Sequence, residues 1–425
     1  MELVSVSEAH ALILSRLAPL PMERRPLEEA LGLGLASPIR ARDPVPPFDT
    51  SAMDGYALRA ADTNQAPVRL RLVGLVRAGT VWPEVLRPGQ AVQILTGAPL
   101  PPGADAVAEQ EIATVEPDGW VRIREPISPG RNIRKAGEDM PEGATVLEEG
   151  LVLEPAAIAA AAAAGWAELP VRRRARVAIL ITGDELVDPG SALPPGKIRN
   201  SNRYLLEALC RREGAEVTYR ATVRDDPDAL QGAFEEAHAA ADLVLSTGGV
   251  SVGVFDYVQA VLEKLGFERV FWRVRQRPGK PLLFGLLRGK PFFGLPGNPV
   301  SAGVCFDQYV RPALRYIMGL RPTHRARLRG MLEEPFAAKR PGLYTFVRAR
   351  WRLRPDGRIG VRPTGPQGSH LVSSLVAATC LLHLPEAWGP VPAETEVELE
   401  LWATEPEPFV ASAGMPYHAQ TSSAR

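Results

Sequence analysis

Three segments of this sequence join an apolar strand to a Gly-rich turn that carries hydroxyls or acids. They read VAILITGDEL at 177–186, DLVLSTGGVSVG at 242–253 and FFGLPGNPVSAG at 292–303. A strand that ends in such a turn places backbone N–H groups and hydroxyls at the carboxyl edge of a sheet, beside the start of a helix, and this arrangement binds anions. A single case is as easily an ordinary turn, but three in one segment favour a ligand site.

Acidic residues follow the strand ends of the same segment, namely Asp184, Glu185, Asp225, Asp226 and Asp256. Because these carboxylates could converge on one crevice, they suggest a hard divalent cation, with Mg²⁺ the first candidate, that bridges acids and ligand oxygens. The alternative is that Asp225 and Asp226 stabilise a helix N-terminus and that Asp256 caps the following helix. The six His are scattered without ligand spacing, so a zinc or iron site is not expected.

The segment 277–281, Arg-Pro-Gly-Lys-Pro, offers two cations on a rigid turn between two predicted strands. Only six of the 49 basic residues are Lys, so Lys280 stands out inside a motif. The segment lacks the spacing of a Walker loop. It is therefore either an anion-binding turn or a Pro–Gly type II turn with incidental charges.

The composition bears on the class of protein. The net charge is zero over 425 residues, so no global field attracts nucleic acid or an acidic membrane. The longest apolar run, 156–165, is short and almost all Ala, and neither a signal peptide nor a membrane span is expected. The three Cys are widely spaced, which favours buried reduced thiols in a cytoplasmic protein over disulfides.

The strand and helix patterns change along the chain. Ser5 and Glu8 form a predicted capping box for a first helix. Short β-type runs follow between 42 and 124, strands alternate with helices from 176 to about 320, and β-type runs return after 321. We therefore predict a multidomain α/β protein with a central, mainly parallel α/β sandwich, a small β-rich domain inserted near the N-terminus, and a C-terminal β domain.

The expected domain boundaries follow these changes of pattern. They are 1–41 with 125–172 for a linking domain, 42–124 for the inserted β-rich domain, 173–320 for the α/β domain, 321–408 for the C-terminal β domain, and 409–425 for a disordered tail.

Seven stretches carry a specific resemblance to a known family. They are SAMDGYA at 51–57, TGAPLPPGADAV at 96–107, NIRKAGED at 132–139, TGDEL at 182–186, TGGVSVG at 247–253, RPGKP at 277–281 and LPGNPVS at 295–301. In this order, and over nearly the whole chain, the sequence resembles molybdopterin molybdenumtransferase, the MoeA family that includes the E domain of gephyrin.

The resemblance implies the last step of molybdenum cofactor synthesis. Adenylylated molybdopterin and molybdate are then the substrates, Mg²⁺ is the cofactor, AMP leaves, and molybdate enters the dithiolene. The family is a homodimer of L-shaped subunits whose site lies where the N-terminal part of one subunit faces the α/β domain of the other. The upstream adenylyltransferase and the acceptor molybdoenzymes are further expected partners, and neither nucleic acid nor membrane is expected.

The family's site residues carry over by motif. Asp54, Thr96 and Asp139 belong to the N-terminal wall, and Glu185, Asp225, Asp256 and Lys280 are the expected catalytic residues of the α/β wall. The expected metal ligands are Glu185, Asp225, Asp226 and Asp256. The expected pterin- and molybdate-binding residues are Thr182, Gly183, Asp184, Ser246, Thr247, Gly248, Gly249, Ser251, Arg277, Gly279, Pro296, Gly297, Asn298, Pro299, Ser301, Arg362, Ser369 and Ser373.

The sequence departs from the family pattern at two places. Arg277 stands where the family usually has Lys, which keeps the charge but replaces a point donor by a planar fork. Residues 377–380, Ala-Ala-Thr-Cys, replace the more usual Ala-Asn-Gly, so this turn must be built differently.

Two other functions stay open. One is the related adenylyltransferase, which is a single short domain, and the additional domains of this chain argue against it. The other is a non-catalytic scaffold that binds a pterin or a partner, and the retained acids Asp54, Asp139 and Asp256 argue against it.

Overall fold

The computed structural model describes residues 3–248 and 255–403. The chain divides into two compact units: residues 22–171 form one, and residues 1–21 together with the chain from Arg172 onward form the other. Each unit is described separately. Within the described ranges, no helix combines the length and the apolar character that a membrane span requires.

The unit of residues 22–171 is built around a six-stranded sheet, as the β-type runs predict. Its strands, in spatial order, are Ala106–Glu109, Gly55–Leu58, Gln90–Ile94, Val68–Val76, Trp120–Ile123 and Ala113–Glu116. Both faces of this sheet are covered, because Tyr56 and Leu58 belong to one buried cluster while the intervening Ala57 belongs to another.

The remainder of this unit has short strands around one helix. A three-stranded sheet is formed by Met22–Pro26, Glu168–Arg172 and Gly34–Leu35, and two-stranded pairs are formed by Ile133–Arg134 with Thr50–Ser51 and by Thr145–Leu147 with Ile39–Arg40. The Ala-rich helix Pro155–Ala163 packs its small side chains, including Ala157 and Ala161, into the adjoining core.

The second unit contains the predicted α/β sandwich. Its six strands, in spatial order, are Glu216–Val223, Arg176–Thr182, Leu243–Thr247, Lys290–Leu295, Leu283–Leu287 and Phe267–Trp272. The first four are parallel, whereas the last two are antiparallel to their neighbours. The sheet is therefore mixed, because the two-residue turn at Arg288 and Gly289, both with positive φ, can join only antiparallel strands.

Helices cover both faces of this sheet. Pro227–Ala240 and Phe255–Lys264 pack on one face through side chains such as Leu230, Phe234 and Leu262. Asn202–Arg212 packs beside the helical segment Pro299–Cys305. Pro299–Cys305 and Arg311–Ile317 are α-helical, and Phe306–Val310 between them is π-helical. The first helix, Val6–Ser15, begins with the predicted capping box of Ser5 and Glu8.

The C-terminal strands close into a barrel. In spatial order they are Gln276–Arg277, Tyr344–Leu353, Ile359–Pro363, Arg327–Leu332, Glu396–Leu401 and Cys380–Leu384, and an additional pairing of Cys380–Leu384 with Tyr344–Leu353 completes the closure. A short helix, Ser373–Ala377, directly precedes the strand Cys380–Leu384 in sequence. All three Cys are free and buried, as predicted for reduced thiols.

Candidate functional site

Two adjoining cavities lie at the carboxyl edge of the parallel strands. The first, of about 370 Å³, includes the 277–281 turn, and the second, of about 340 Å³, includes the ends of the first two Gly-rich strands. Gly248, Gly297 and Asn298 line both. Of the predicted site residues, the first cavity also has Arg277, Gly279, Lys280, Pro296, Ser301 and Ser369, and the second has Thr182, Glu185, Thr247 and Pro299.

The turns that end the strands touch one another through backbone. Gly248 has a φ of +86°, and a Cβ at this position would lie 2.2 Å from the carbonyl oxygen of Thr182. No other residue fits this close approach without moving the neighbouring strand end. Gly248, directly after the strand Leu243–Thr247, is thereby held against the end of the strand Arg176–Thr182 at the edge of the sheet.

The 277–281 turn presents its two cations to the first cavity. Arg277 and Lys280 are exposed, whereas Pro278 and Gly279 between them are buried. Gly279 has a φ of +87°, and a Cβ there would lie 2.4 Å from the Sγ of Cys305. The turn is therefore packed tightly on the helix behind it, while the charged side chains remain available to an anion.

The loop before the helix Ser373–Ala377 completes the first cavity. Asn298 donates from Nδ2 to the Oγ of Ser369 at 3.0 Å, and Gln367 also lines the cavity. This bond joins the third Gly-rich turn to the C-terminal domain. The wall of the cavity is thus built from two domains of the same compact unit.

A buried guanidinium lies behind this loop. Arg348 is fully buried, and it donates from Nε to the Oγ of Ser374 at 2.8 Å and from Nη2 to the carbonyl oxygen of Gly368 at 3.3 Å. Among the described residues its Nη1 has no hydrogen-bond partner. Burial lowers the pKa of Arg348 to about 10, so the group still carries its charge at neutral pH.

The acids near the second cavity differ in their surroundings. Asp225 is half-buried, and its Oδ1 has no hydrogen-bond partner among the described residues. Burial raises the pKa of Asp225, and the neighbouring charges of Asp184 and Glu185 raise it further. Asp226 instead caps the helix Pro227–Ala240, because its Oδ1 accepts from the backbone N–H of Ala229 at 2.9 Å.

A divalent cation fits part of this acidic set. In residues 3–248 and 255–403, no three His, Cys, Asp or Glu side chains are placed to hold a metal. Mg²⁺, however, commonly takes one or two carboxylates and completes its shell with water and phosphate oxygens. The unpartnered Oδ1 of Asp225 and the nearby carboxylate of Glu185 match that requirement, whereas the capping bond of Asp226 occupies one of its oxygens.

Several expected residues fall elsewhere or outside the description. Arg362 donates from Nε to Glu333 Oε2 at 2.7 Å and does not line either cavity. Ser373 is exposed at the start of its helix, and Ser246 is buried within its strand. Gly249, Ser251 and the side chain of Asp256 lie outside the described residues.

The other unit brings Asp54 and Thr96 together. Both the backbone N–H and the hydroxyl of Thr96 donate to Asp54 Oδ1, each at 2.7 Å. These bonds, the backbone one first, lower the pKa of the exposed Asp54 carboxyl. Asp139 is also exposed, and its backbone N–H donates to the carbonyl oxygen of Val45 at 3.0 Å.

Sequence reasoning missed several polar residues of the cavities. Arg199, Asn200, Asn202, Gln276 and Gln367 line them. Asn202 donates from Nδ2 to the carbonyl oxygen of Gly297 at 2.6 Å. The run Arg-Asn-Ser-Asn before a helix was a usable signal for the first three, because polar residues cluster at helix starts beside strand ends. Gln276 and Gln367 had no such local signal.

Three successive regions of the chain match models of known protein families. Family models match residues 4–165 as MoeA N-terminal region (domain I and II), 178–316 as probable molybdopterin binding domain, and 330–402 as MoeA C-terminal region (domain IV).

Relatives are similar over nearly their full length. The chain is 38% identical to molybdopterin molybdenumtransferase of Haemophilus influenzae, covering 94% of this chain and 98% of that protein. It is 39% identical to molybdopterin molybdenumtransferase 2 of Mycobacterium tuberculosis, covering 89% and 94%. The solved structure of a molybdopterin biosynthesis MoeA protein from Pyrococcus horikoshii matches with a TM-score of 0.81, 32% identity, and coverage of 94% and 100%.

Proposed function

Because this chain belongs to the molybdopterin molybdenumtransferase family, we propose that it inserts molybdate into molybdopterin. In this reaction adenylylated molybdopterin is hydrolysed in the presence of Mg²⁺, AMP leaves, and the final step of molybdenum cofactor synthesis is completed. The observation that carries the proposal is the pair of adjoining cavities, with Arg277 and Lys280 in the wall of the first and Glu185 in the wall of the second.

The first cavity suits a molecule with several negative oxygens. Arg277 and Lys280 supply charge, and the hydroxyl of Ser301 and the amide of Asn298 supply polar contacts. The buried charge of Arg348 behind the Gly368 carbonyl adds positive potential without direct exposure. Such preorganised donors stabilise charge that develops on transferred oxyanions. We assign this cavity to molybdate and the anionic end of the pterin.

The acids supply the other part of the chemistry. Mg²⁺ held by Glu185 and Asp225, when bound, would offset the charge that builds on the leaving phosphate. We assign to Asp54, a carboxylate whose pKa is lowered by the two bonds from Thr96, the role of orienting the attacking oxygen. Asp54, Thr96 and Asp139 act on the α/β domain of a partner subunit in a homodimer, so each site is shared between two chains.

The proposal also includes a cytoplasmic homodimer with the domain boundaries expected from the sequence. Its expected partners are the upstream adenylyltransferase and the acceptor molybdoenzymes. The adenylyltransferase alternative is disfavoured because the similarity to full-length relatives spans all three matched regions. A non-catalytic scaffold would have no need for the unpartnered carboxylate oxygen of Asp225 near the charges of Asp184 and Glu185.

The test is release of AMP from adenylylated molybdopterin by the purified protein. We expect release that requires both molybdate and Mg²⁺ and that yields pterin able to activate a molybdoenzyme lacking its cofactor. Binding of the pterin without AMP release under any metal condition would support the scaffold. Formation of adenylylated molybdopterin from ATP would support the adenylyltransferase.

A further inference from the structure

A buried amide in the wall of the first cavity bonds the backbone of the cationic turn. Gln276 is 1% exposed, and its Nε2 donates to the carbonyl oxygens of Pro278 at 3.2 Å and of Gly279 at 3.1 Å. The two carbonyls lie between Arg277 and Lys280. One side chain thus bonds the backbone that sets the direction of both cations.

Tyr309 fixes the orientation of this amide. Its hydroxyl donates to Gln276 Oε1, and the ring is fully buried. An amide has two donor hydrogens and one acceptor oxygen, so a donor aimed at Oε1 determines that Nε2 faces the turn. Burial raises the pKa of this hydroxyl well above the ordinary value for Tyr, so the group stays protonated and remains a donor.

The helix that carries Tyr309 is not a regular α-helix at this residue. Tyr309 lies in the π-helical segment Phe306–Val310, between the α-helical segments Pro299–Cys305 and Arg311–Ile317. A π-helical turn shifts the following side chains relative to a regular α-helix, and such turns often occur at functional sites. On its other side the ring of Tyr309 packs 4.9 Å from the ring of His10.

We infer that Gln276 and Tyr309 are positioning residues that hold the 277–281 turn in the form in which Arg277 and Lys280 bind the anionic substrate. The inference rests on the proposed function, since it assigns these residues to the substrate cavity of that reaction. The relay is Tyr309 hydroxyl to Gln276 carbonyl oxygen, then Gln276 amide to the turn carbonyls. Neither side chain needs to touch the substrate.

The relay makes a prediction that simple packing does not. If Gln276 and Tyr309 act through the turn, their removal should cost little once the charges of Arg277 and Lys280 are both absent. Fold-losses of affinity that act through the same group do not multiply when the substitutions are combined, whereas independent fold-losses do. A general weakening of the fold would instead lower the melting temperature and increase amide exchange in all elements.

The experiment compares Tyr309→Phe, Gln276→Leu and the double variant with the wild-type protein. Tyr309→Phe keeps the ring and removes only the hydroxyl. Tyr219→Phe is the matched control, because Tyr219 lies on the edge strand Glu216–Val223 and its hydroxyl donates to Glu236 at 2.9 Å. In the double variant both partners of the buried Tyr309–Gln276 bond are apolar, so neither group of that bond is left unpaired, and only the carbonyl oxygens of Pro278 and Gly279 lose their Gln276 donor. This variant separates loss of positioning from loss of folding.

Hydrogen exchange of the ligand-free proteins tests the turn itself. We expect amides in the peptide 276–283 to exchange at least about tenfold faster in the double variant than in the wild type, as expected when a local hydrogen-bonded unit opens more readily. In the double variant, amide exchange in the strand Arg176–Thr182 should be unchanged. In the control Tyr219→Phe, amide exchange at 276–283 should be unchanged. Unchanged exchange at 276–283 would overturn the inference, whether or not the protein has the proposed activity.

Calorimetry and turnover with adenylylated molybdopterin test the consequence. We expect Kd and KM to rise about tenfold in the double variant with a smaller change in kcat. The same substitutions should have less than about a twofold effect in a background that carries both Arg277→Ala and Lys280→Ala. Equal fold-losses in both backgrounds would overturn the inference. If the wild type neither binds nor turns over this substrate, the proposed function fails, and the exchange measurement alone decides whether the relay holds the turn.

Discussion

Thr96 donates two hydrogen bonds to the same oxygen of Asp54, one from its backbone N–H and one from its hydroxyl, each at 2.7 Å. This pair holds one carboxylate oxygen and leaves the other free in an exposed loop. A group held in this way can orient a reacting oxygen while adding little to substrate binding.

The substitution Asp54→Asn should therefore separate chemistry from binding. We expect adenylylated molybdopterin to remain bound while turnover falls by roughly 10²-fold or more, within the range for loss of a positioned acid or base. Calorimetric affinity and single-turnover AMP release are the two measurements. Equal losses in both would show that Asp54 only binds, and normal turnover would remove it from the site.

Lys280→Ala should weaken binding of the anionic pterin. The expected loss is about 1–3 kcal/mol, the scale of a charge-assisted hydrogen bond, without loss of the fold. Lys280→Arg should restore only part of the affinity, because a planar fork does not replace a compact charge on a tight turn. Lys264→Ala, an exposed Lys in the last turn of the helix Phe255–Lys264, is the control. Unchanged affinity with early melting would instead support a purely structural turn.

Subunit complementation tests the proposed shared site. Asp54→Ala and Glu185→Ala subunits carry their changes in different compact units. If each site uses one unit from each chain, a heterodimer of the two variants has one site with both changes and one with neither. We expect verified heterodimers to recover about half of the wild-type activity while each homodimer stays inactive. Absence of recovery would place both acids in the same chain's site.

Acidification should destabilise the protein through His10. Burial lowers the pKa of His10 to about 4, with the charge of His324 as the next cause, and the ring packs 4.9 Å from that of His324. Between pH 6.5 and 4 the unfolded chain therefore binds a proton that the folded chain does not, so the free energy of unfolding decreases as pH falls.

The expected loss from this group is on the order of 3 kcal/mol and is complete below its folded pKa. Urea unfolding between pH 8 and 4 measures it. His10→Phe should flatten the pH dependence in this window, whereas His370→Phe, on an exposed loop residue, should leave it unchanged. The same slope in His10→Phe and in the wild type would assign the pH dependence to other groups.

The sequence by itself determined the features that depend on neighbouring residues. The capping box of Ser5 and Glu8 forms within one helical turn, and the β-type runs between 42 and 124 form a sheet, because both follow from local hydrogen bonding and side-chain alternation. The strand ends at Thr182 and Thr247 meet because parallel strands share one carboxyl edge. The fold class and the position of the Gly-rich turns at one edge of the sheet could be predicted from the sequence for the same reason.

Tertiary structure alone decided which distant side chains became partners. Arg362 resembles a molybdate ligand in sequence, yet it pairs with Glu333, whereas Arg348, fourteen positions earlier in the chain, is the buried cation behind the loop. Gln276 carries no local signal, and its role appears only when barrel closure and the π-helical segment bring Tyr309 against it. Such pairings depend on packing between residues far apart in sequence, and a local pattern has no information about that packing.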